Sequence, residues 1–198
     1  MISKRLFDLV LVIPGIIFLL PVMLIIALWI KLDSRGPVFY RQERIGKNNT
    51  TFNVLKFRTM EVHAKGPTLT LANDPRITCC GHHLRRMKLD ELPQLFNVLK
   101  GEMSLVGPRP QVQEHMGLYP DYIKEIVLSM QPGITDLASI QFIRENDLLA
   151  ESDDPFAEYI NKVVPEKCRF YQEYEHSQTR WLDLKILLLT IRKLILGF

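Results

Sequence analysis

The hydrophobic positions divide the chain into three regions. From Leu9 to Ile30 no residue carries a charge, which meets the length of about 20 apolar residues that a bilayer-crossing helix needs. This stretch is longer than the apolar part of a signal peptide, and no small-residue cleavage site follows it. The pattern therefore predicts a membrane helix within residues 1–35, a globular region at 36–180 and an apolar end at 181–198.

The topology of the first region is open on the residues alone. Lys4 and Arg5 precede the apolar run and Lys31 and Arg35 follow it, so the excess of positive charge on the cytoplasmic side gives no orientation. Pro21 removes a backbone hydrogen bond near the middle and favours a bend. Balanced basic ends and a central proline fit a re-entrant helix that enters and leaves through one face of the membrane. A single helix that crosses the bilayer fits equally well.

The globular region mixes two periodicities. Stretches rich in β-branched and aromatic residues predict short strands, with turn residues between them, and longer apolar–polar patterns predict helices. The predicted strands are 38–40 and 51–57, and the predicted helices are 84–100 with a break at Pro93, 122–130 and 155–175. We therefore predict an α+β fold that is mostly helical, with a small globular domain behind the membrane helix.

The last region is apolar but carries four charges. Asp183, Lys185, Arg192 and Lys193 make residues 181–198 a poor membrane-crossing helix. A large apolar face with basic edges is typical of an amphipathic helix that lies in the membrane interface. A helix packed on the globular domain fits nearly as well.

Charge and cysteine content narrow the class of protein. The net charge of +3 favours anionic lipid or a phosphorylated ligand, and no basic patch interleaved with aromatic residues indicates nucleic acid. Cys79, Cys80 and Cys168 form no disulfide-scaffold pattern. Adjacent cysteines also lack the spacing of zinc ligands. Free thiols fit a reducing compartment, so we expect the globular region in the cytoplasm.

Two adjacent carboxylates carry the strongest chemical signal. Asp90 and Glu91 lie between leucines and are followed at once by Pro93, where a helix ends or bends. Neighbouring carboxylates at such a break can bind a hard cation such as Mg²⁺. Downstream, a Gly-Pro-Arg-Pro turn presents Arg109, whose guanidinium suits bidentate phosphate binding. An isolated Asp-Glu pair is more often a solvated helix cap, but this combination indicates chemistry on a phosphate.

The motifs together resemble the monotopic phosphoglycosyl transferases, the bacterial sugar transferase family. The resemblance lies in the order and spacing of short segments along nearly the whole chain. These are residues 4–8, 36–46, 56–60, 74–78, 84–86, 89–98, 103–110 and 132–135. It implies transfer of a sugar 1-phosphate from a nucleotide diphospho-sugar, typically a UDP-sugar, to a polyprenyl phosphate in the membrane.

The resemblance also implies roles for individual residues. Asp90 matches the nucleophile that attacks the β-phosphorus, expels UMP and holds a covalent phosphosugar. Glu91 is expected to act with Asp90 in catalysis and in binding Mg²⁺. Residues of the matching motifs are expected to bind the substrate. They are Lys56, Arg58, Arg76, Arg85, Arg109 and Pro110.

The implied setting is the cytoplasmic face of a bacterial inner membrane. The family uses a re-entrant helix kinked at a Ser-Pro pair, and here Leu20 precedes Pro21. We expect contacts with membrane lipid, no nucleic-acid partner, and a minimal catalytic unit without extra membrane helices. The sequence leaves the oligomeric state open, a homodimer included.

One segment departs from the family pattern. After 132–135 the family commonly continues Gly-Leu-Ala-Gln, whereas this chain has Asp136, Leu137, Ala138 and Ser139. The segment 142–146 also differs, and if this loop shapes the sugar pocket, a different sugar is bound.

Two other functions compete with the transferase. The first is a non-catalytic membrane scaffold of the same fold, against which the intact pair Asp90–Glu91 and Arg109 argue. The second is a hydrolase that passes the phosphosugar to water. The hydrophobic flanks of the Asp-Glu pair favour a lipid acceptor. The sequence names neither the sugar nor the polyprenol length.

Overall fold

The computed structural model describes residues 3–62 and 74–196 and has the predicted α+β, mostly helical fold. Its helices are α1 (Lys4–Asp33), α2 (Cys79–Arg86), α3 (Gln94–Lys100), α4 (Gln113–Met116), α5 (Asp121–Ser129), α6 (Leu137–Gln141), α7 (Glu145–Ala150), α8 (Pro155–Glu158), α9 (Val164–Ser177) and α10 (Arg180–Leu196). Its strands are β1 (Phe39–Ile45), β2 (Thr51–Phe57), β3 (Ser104–Val106) and β4 (Gly133–Thr135).

Strands β1 and β2 form the antiparallel hairpin that the sequence predicted. Phe39 pairs with Phe57 at its open end and Ile45 with Thr51 near the turn. The turn places Asn48 at φ 55°, a left-handed conformation that asparagine tolerates. The first strand extends beyond the predicted 38–40 to Ile45, because the polar residues 41–44 also pair with residues 52–55 of β2.

The second sheet was not predicted from the sequence. Strands β3 and β4 pair in parallel, with Ser104 opposite Gly133 and Val106 opposite Thr135. The two backbone segments approach closely where Gly133, the first residue of β4, meets Gly107, since a Cβ on Gly133 would lie 2.1 Å from the backbone nitrogen of Gly107. Only glycine fits at that contact, and the contact places the loop after β3 beside β4.

The predicted helix over 84–100 is interrupted earlier than expected. Helix α2 ends at Arg86, and Lys88 adopts a left-handed conformation at φ 56°. A 3₁₀ turn, Leu89–Glu91, precedes α3, and Pro93 stands at the start of that helix. Both acidic residues therefore lie on a short turn between two helices.

Helix α1 packs lengthwise on the globular region through one stripe of residues. Asp8, Val12, Met23, Ile26 and Ile30 are buried, at the three- and four-residue spacing of one helix face. The opposite side is apolar and largely exposed. Within the described ranges, α1 is the helix whose length and composition would allow it to cross a membrane.

The N-terminal end of α1 is bonded to the globular region. Lys4 Nζ donates to Asp183 over 3.0 Å, and the guanidinium of Arg5 donates to backbone carbonyls at the end of α3. The backbone N–H of Leu105 donates to Asp8 Oδ1 over 3.2 Å. These bonds fix the start of α1 against α3, β3 and α10.

The C-terminal end of α1 is bonded to the same region. The backbone N–H of Cys80 donates to Asp33 Oδ2 over 3.1 Å. Arg58 donates to the carbonyl oxygens of Arg35 and Ser34 over 2.7 and 2.8 Å. A helix crossing a bilayer separates its ends by about 30 Å of hydrocarbon, so bonds from one domain to both ends favour a topology with both ends on one side.

The helix runs unbroken through Pro14 and Pro21. The bend at Pro21 and the re-entrant path stay predictions.

At the other end of the chain, α10 buries Asp183 and Ile186 while Trp181 and Ile195 are exposed. One side of α10 thus packs on the domain, and the other side leaves apolar surface uncovered.

The bonds at both ends of α1 predict that Ser3 and the globular region lie on the same side of the membrane. A variant lacking Cys79, Cys80 and Cys168 would carry Ser3→Cys, or Ser177→Cys as the reference on the globular region. We expect an impermeant thiol reagent to label both cysteines only after intact cells are permeabilised. Labelling of the Ser3→Cys variant alone from outside would mean that α1 crosses the bilayer.

Candidate active site

The 3₁₀ turn presents two carboxylates with different surroundings. Asp90 is 8% exposed, and the side chain of Glu91 is 13% exposed. The left-handed Lys88 starts the turn and the leucines beside the pair pack into the core that contains Met23 and Ile30 of α1. The turn is therefore held from below by apolar contacts and its acidic groups are kept out of bulk water.

Glu91 is bound by two cationic side chains. Arg109 donates from Nη1 to Oε2 over 2.9 Å and from Nη2 to Oε1. Lys56 Nζ donates to Oε1 over 3.2 Å. The bidentate geometry with Arg109 is the stronger form of a carboxylate–guanidinium pair, so both oxygens of Glu91 already accept hydrogen bonds.

These contacts decide the charge of Glu91. Burial alone would raise the pKa of this carboxyl, but the charges of Arg109 and Lys56 outweigh burial and hold the pKa well below its usual range. Glu91 in turn raises the pKa of Arg109. Burial lowers the pKa of Lys56, with Glu91 acting against that effect. The three groups form one charged cluster.

Asp90 differs from Glu91 in this respect. Its Oδ1 atom is buried and accepts no hydrogen bond from any of the residues that the structure describes. Burial, and then the negative charge of Glu91, raise the pKa of Asp90. An unsatisfied buried carboxylate oxygen costs free energy, and such an oxygen is available to a cation or an electrophile.

The residues present fit a hard cation in part. The orphaned Asp90 Oδ1 is an oxygen ligand of the kind that Mg²⁺ prefers. Glu91 accepts hydrogen bonds at both oxygens, yet each carboxylate oxygen has a second lone pair. Among the described residues no group of three or more His, Cys, Asp or Glu side chains could hold a metal. Substrate phosphate and water would therefore complete the coordination, as is usual for Mg²⁺.

A small pocket opens beside the cluster. Its lining residues come from the hairpin, from α3 and from the loop after β3, and they are Arg44, Val54, Lys56, Gln94, Arg109 and Pro110. Arg44 donates to the carbonyl of Pro110 over 3.1 Å and to Gln42 Oε1 over 2.7 Å. Burial and the charge of Arg109 lower the pKa of Arg44 to about 10. Arg44 therefore remains charged at neutral pH.

Three of the six predicted substrate-binding residues meet at this pocket, namely Lys56, Arg109 and Pro110. Burial lowers the pKa of Arg85, and the nearby charge of Asp90 acts against that effect. The guanidinium of Arg85 donates to Thr59 Oγ1 over 2.8 Å. Two others make different contacts: Arg58 binds the end of α1, and Arg76 pairs with Asp74. Roles in substrate binding for these residues stay predictions.

Sequence reasoning missed Arg44 as a candidate site residue. In the hairpin Arg44 pairs with Phe52, and Lys56 pairs with Tyr40. Because side chains two apart share a face of a strand and directly opposed residues share it too, Arg44 and Lys56 lie on one face. The alternation of the hairpin, once its register is fixed, is the signal that identifies Arg44.

The chain was also compared with known proteins. A family model described as Bacterial sugar transferase matches residues 1–197. The chain belongs to this family. The family resemblance seen in the sequence motifs is thereby confirmed, and the site just described lies within the matched residues.

Relatives with named activities cover nearly all of this chain. An undecaprenyl-phosphate glucose phosphotransferase of Komagataeibacter xylinus is 43% identical over 98% of the chain and 36% of the relative. A UDP-glucose:undecaprenyl-phosphate glucose-1-phosphate transferase of Escherichia coli K12 is 40% identical over 96% of the chain and 39% of the relative. An Aeromonas hydrophila UDP-N-acetylgalactosamine-undecaprenyl-phosphate N-acetylgalactosaminephosphotransferase is 35% identical over 98% and 44%. The chain thus spans less than half the length of these relatives.

The two carboxylates should respond oppositely to substitution. Glu91→Gln should destabilise the fold by about 3 kcal/mol at neutral pH, because Arg109 and Lys56 lose their buried counter-charge. The folded-state pKa of Glu91 lies below the ordinary 4.5, so this loss is fully present above pH 4.5 and disappears as the pH falls through the folded-state pKa.

Asp90→Asn should instead stabilise the fold by about 1 kcal/mol, because it removes an unpaired buried charge. The folded-state pKa of Asp90 lies above the ordinary 3.8, so this gain shrinks as the pH falls from the folded-state pKa towards 3.8. Thermal unfolding in detergent between about pH 2 and pH 8 measures both effects, with the exposed Glu173→Gln as control. Shifts of the same sign in both variants would contradict the assignment.

Proposed function

We propose that this chain transfers a sugar 1-phosphate from a nucleotide diphospho-sugar, a UDP-sugar by analogy with its relatives, to polyprenyl phosphate. One observation carries the proposal. Asp90 keeps a buried, unpaired carboxylate oxygen while its neighbour Glu91 is held by Arg109 and Lys56. The printed names of several relatives specify undecaprenyl phosphate as acceptor and UDP-glucose as donor, which supports this substrate pair.

The pocket suits a diphosphate because its cations retain free donors. Arg109 and Lys56 bind Glu91, and Arg44 lies beside them in the pocket lining. These three cations and the two carboxylates together carry one more positive than negative charge. A guanidinium has five N–H donors and an ammonium three, and the bonds to Glu91 use two from Arg109 and one from Lys56. The remaining donors can bind phosphate oxygens without breaking those bonds.

The first chemical step is a displacement at the β-phosphorus. A carboxylate oxygen of Asp90 forms the new P–O bond while the bond from the β-phosphorus to the bridging oxygen breaks. The bridging oxygen keeps the electron pair and leaves with UMP. Because burial and Glu91 raise the pKa of Asp90, its carboxylate is a more basic nucleophile than an exposed aspartate.

The second step restores the carboxylate. A phosphate oxygen of the polyprenyl phosphate attacks the same phosphorus, the bond to Asp90 breaks, and a polyprenyl diphospho-sugar forms. Asp90 and Glu91 are the residues that would hold Mg²⁺, which when bound supplies positive charge against the repulsion between phosphate and carboxylate. The arginine and lysine side chains position the phosphates in both steps.

The position of the turn supports a lipid acceptor over water. Leu89 and Leu92 flank the acidic pair and pack against the core cluster that includes Met23, Ile26 and Ile30 of α1. The reactive carboxylate thus lies directly above the helix that we propose as the membrane anchor.

We further propose that the exposed sides of α1 and α10 contact lipid at the cytoplasmic face of the bacterial inner membrane. The exposed side of α10 combines Trp181, Leu188 and Ile195 with the basic Lys185 and Arg192, the composition of an interfacial helix. The N-terminal ends of α1 and α10 are joined through Lys4 and Asp183. This contact places the starts of the two helices next to each other.

The proposal predicts that Asp90→Asn abolishes turnover. The amide keeps the shape but cannot act as the nucleophile, so the rate of UMP release from a UDP-sugar should fall by at least about 10³-fold. The assay uses purified protein in nanodiscs and a panel of UDP-sugars with polyprenyl phosphate. Asp121→Asn, at an exposed surface aspartate, is the matched control and should retain full activity.

The same assay separates transfer from hydrolysis. Without polyprenyl phosphate the wild-type protein should release roughly one equivalent of UMP and then stop, because the phosphosugar stays on the enzyme. Continued release in its absence would indicate a hydrolase. Near-normal turnover by Asp90→Asn would refute the covalent mechanism.

The oxygen donors at the site predict a requirement for a hard divalent cation. Treatment with EDTA should reduce UMP release to background, and Mg²⁺ should restore it, because the carboxylates and the diphosphate otherwise repel each other. Residual activity is measured after chelation and again after titration with Mg²⁺. Full activity in metal-free buffer would assign the whole electrostatic task to Arg44, Lys56 and Arg109.

A further inference from the structure

Asp136 is a buried carboxylate that lies outside the pocket and binds the backbone of Arg109. It follows β4 directly and is 2% exposed. Its Oδ2 atom accepts the backbone N–H of Arg109 over 2.9 Å, and its Oδ1 atom accepts the backbone N–H of Ser139. Asp136 is the first residue of the segment that departs from the family pattern noted in the sequence.

The contact with Arg109 matters because of the prolines around it. Pro108 and Pro110 have no N–H, so Arg109 supplies the one backbone donor of residues 108–110. Asp136 accepts that donor. Close contact of the neighbouring glycines and the bond from Gly107 N to Thr135 O over 3.0 Å bring the two loops together. The backbone of Arg109 itself is held at its N–H by Asp136 and at its carbonyl by Gln111 Nε2 over 3.0 Å.

We propose that Asp136 is a positioning residue that sets the Arg109 guanidinium against Glu91. The path runs from the Asp136 carboxylate to the Arg109 backbone, and from the Arg109 side chain to both oxygens of Glu91. Asp136 does not line the pocket, so its effect on substrate passes through Arg109. This inference rests on the proposed function, in which Arg109 binds a phosphate of the donor.

Asp136 also caps α6 through Ser139, and a test must separate that role from positioning. Asp136→Asn retains an oxygen for the cap but turns the other acceptor into an NH₂ donor facing the Arg109 N–H. We expect kcat/KM for the UDP-sugar to fall roughly 10- to 100-fold, the scale of a small misplacement of a reacting group. Asp154→Asn is the matched control, because Asp154 caps α8 through Phe156 and Ala157 at an exposed site, and it should leave kcat/KM unchanged.

A double-mutant cycle tests whether the effect passes through Arg109. In the Arg109→Ala background Asp136→Asn should change kcat/KM by less than about twofold, because the side chain that it positions is gone. If Arg109→Ala does not fold, Arg109→Lys, which keeps the charge but not the planar fork, replaces it. An equal loss in both backgrounds, or wild-type kcat/KM in Asp136→Asn, would overturn the inference.

The same cycle measured by binding keeps this inference separate from the proposed function. Inorganic pyrophosphate is titrated into each variant by calorimetry, and Asp136→Asn should weaken its binding only when Arg109 is present. A wild-type protein that binds pyrophosphate but releases no UMP from any UDP-sugar would refute the proposed function, while the cycle would still decide the role of Asp136. Binding that is equally strong in wild type and Asp136→Asn would overturn the positioning role.

Discussion

The binding of Glu91 by Arg109 and Lys56 makes two adjacent carboxylates chemically different, and the rest of the site depends on that difference. Two negative charges on neighbouring residues repel each other, and burial increases the repulsion. The positive charges of Arg109 and Lys56 neutralise the carboxylate of Glu91. Glu91 is therefore held as a structural and electrostatic centre of the pocket, while Asp90 keeps a raised pKa and an oxygen without a partner.

The fold supplies this arrangement from distant parts of the chain. Lys56 comes from the β1–β2 hairpin, Glu91 from the turn before α3, and Arg109 from the loop that β3 and β4 hold in place. The long apolar helix α1 packs against the turn and is bonded to the domain at both ends, through Lys4 and Asp33 among others. In the proposed function, a phosphate-binding pocket and a lipid-facing helix meet at this turn, as the joining of a water-soluble donor to a membrane-bound acceptor requires.

Part of this structure could be predicted from sequence because its signals are local. The long uncharged run predicted α1, and β-branched and aromatic residues predicted the hairpin. The pairing of β3 with β4 escaped prediction because three residues carry too little pattern and the contact is distant in sequence. The partner of Arg58 was also not predictable. Its motif indicated a cation but not the group that it binds, and in the structure its guanidinium binds carbonyls at the end of α1. Which carboxylate is left unpaired depends on long-range contacts to Glu91, so sequence motifs alone could not decide it.

The most direct test of this account locates the reacting oxygen. The protein is incubated with a UDP-sugar in the absence of polyprenyl phosphate, quenched and digested, and the peptide spanning residues 89–100 is fragmented by mass spectrometry. The account predicts a sugar phosphate on Asp90, because the carboxylate of Glu91 is held by Arg109 and Lys56. A sugar phosphate on Glu91, or an unmodified peptide from protein that turns over normally, would contradict it.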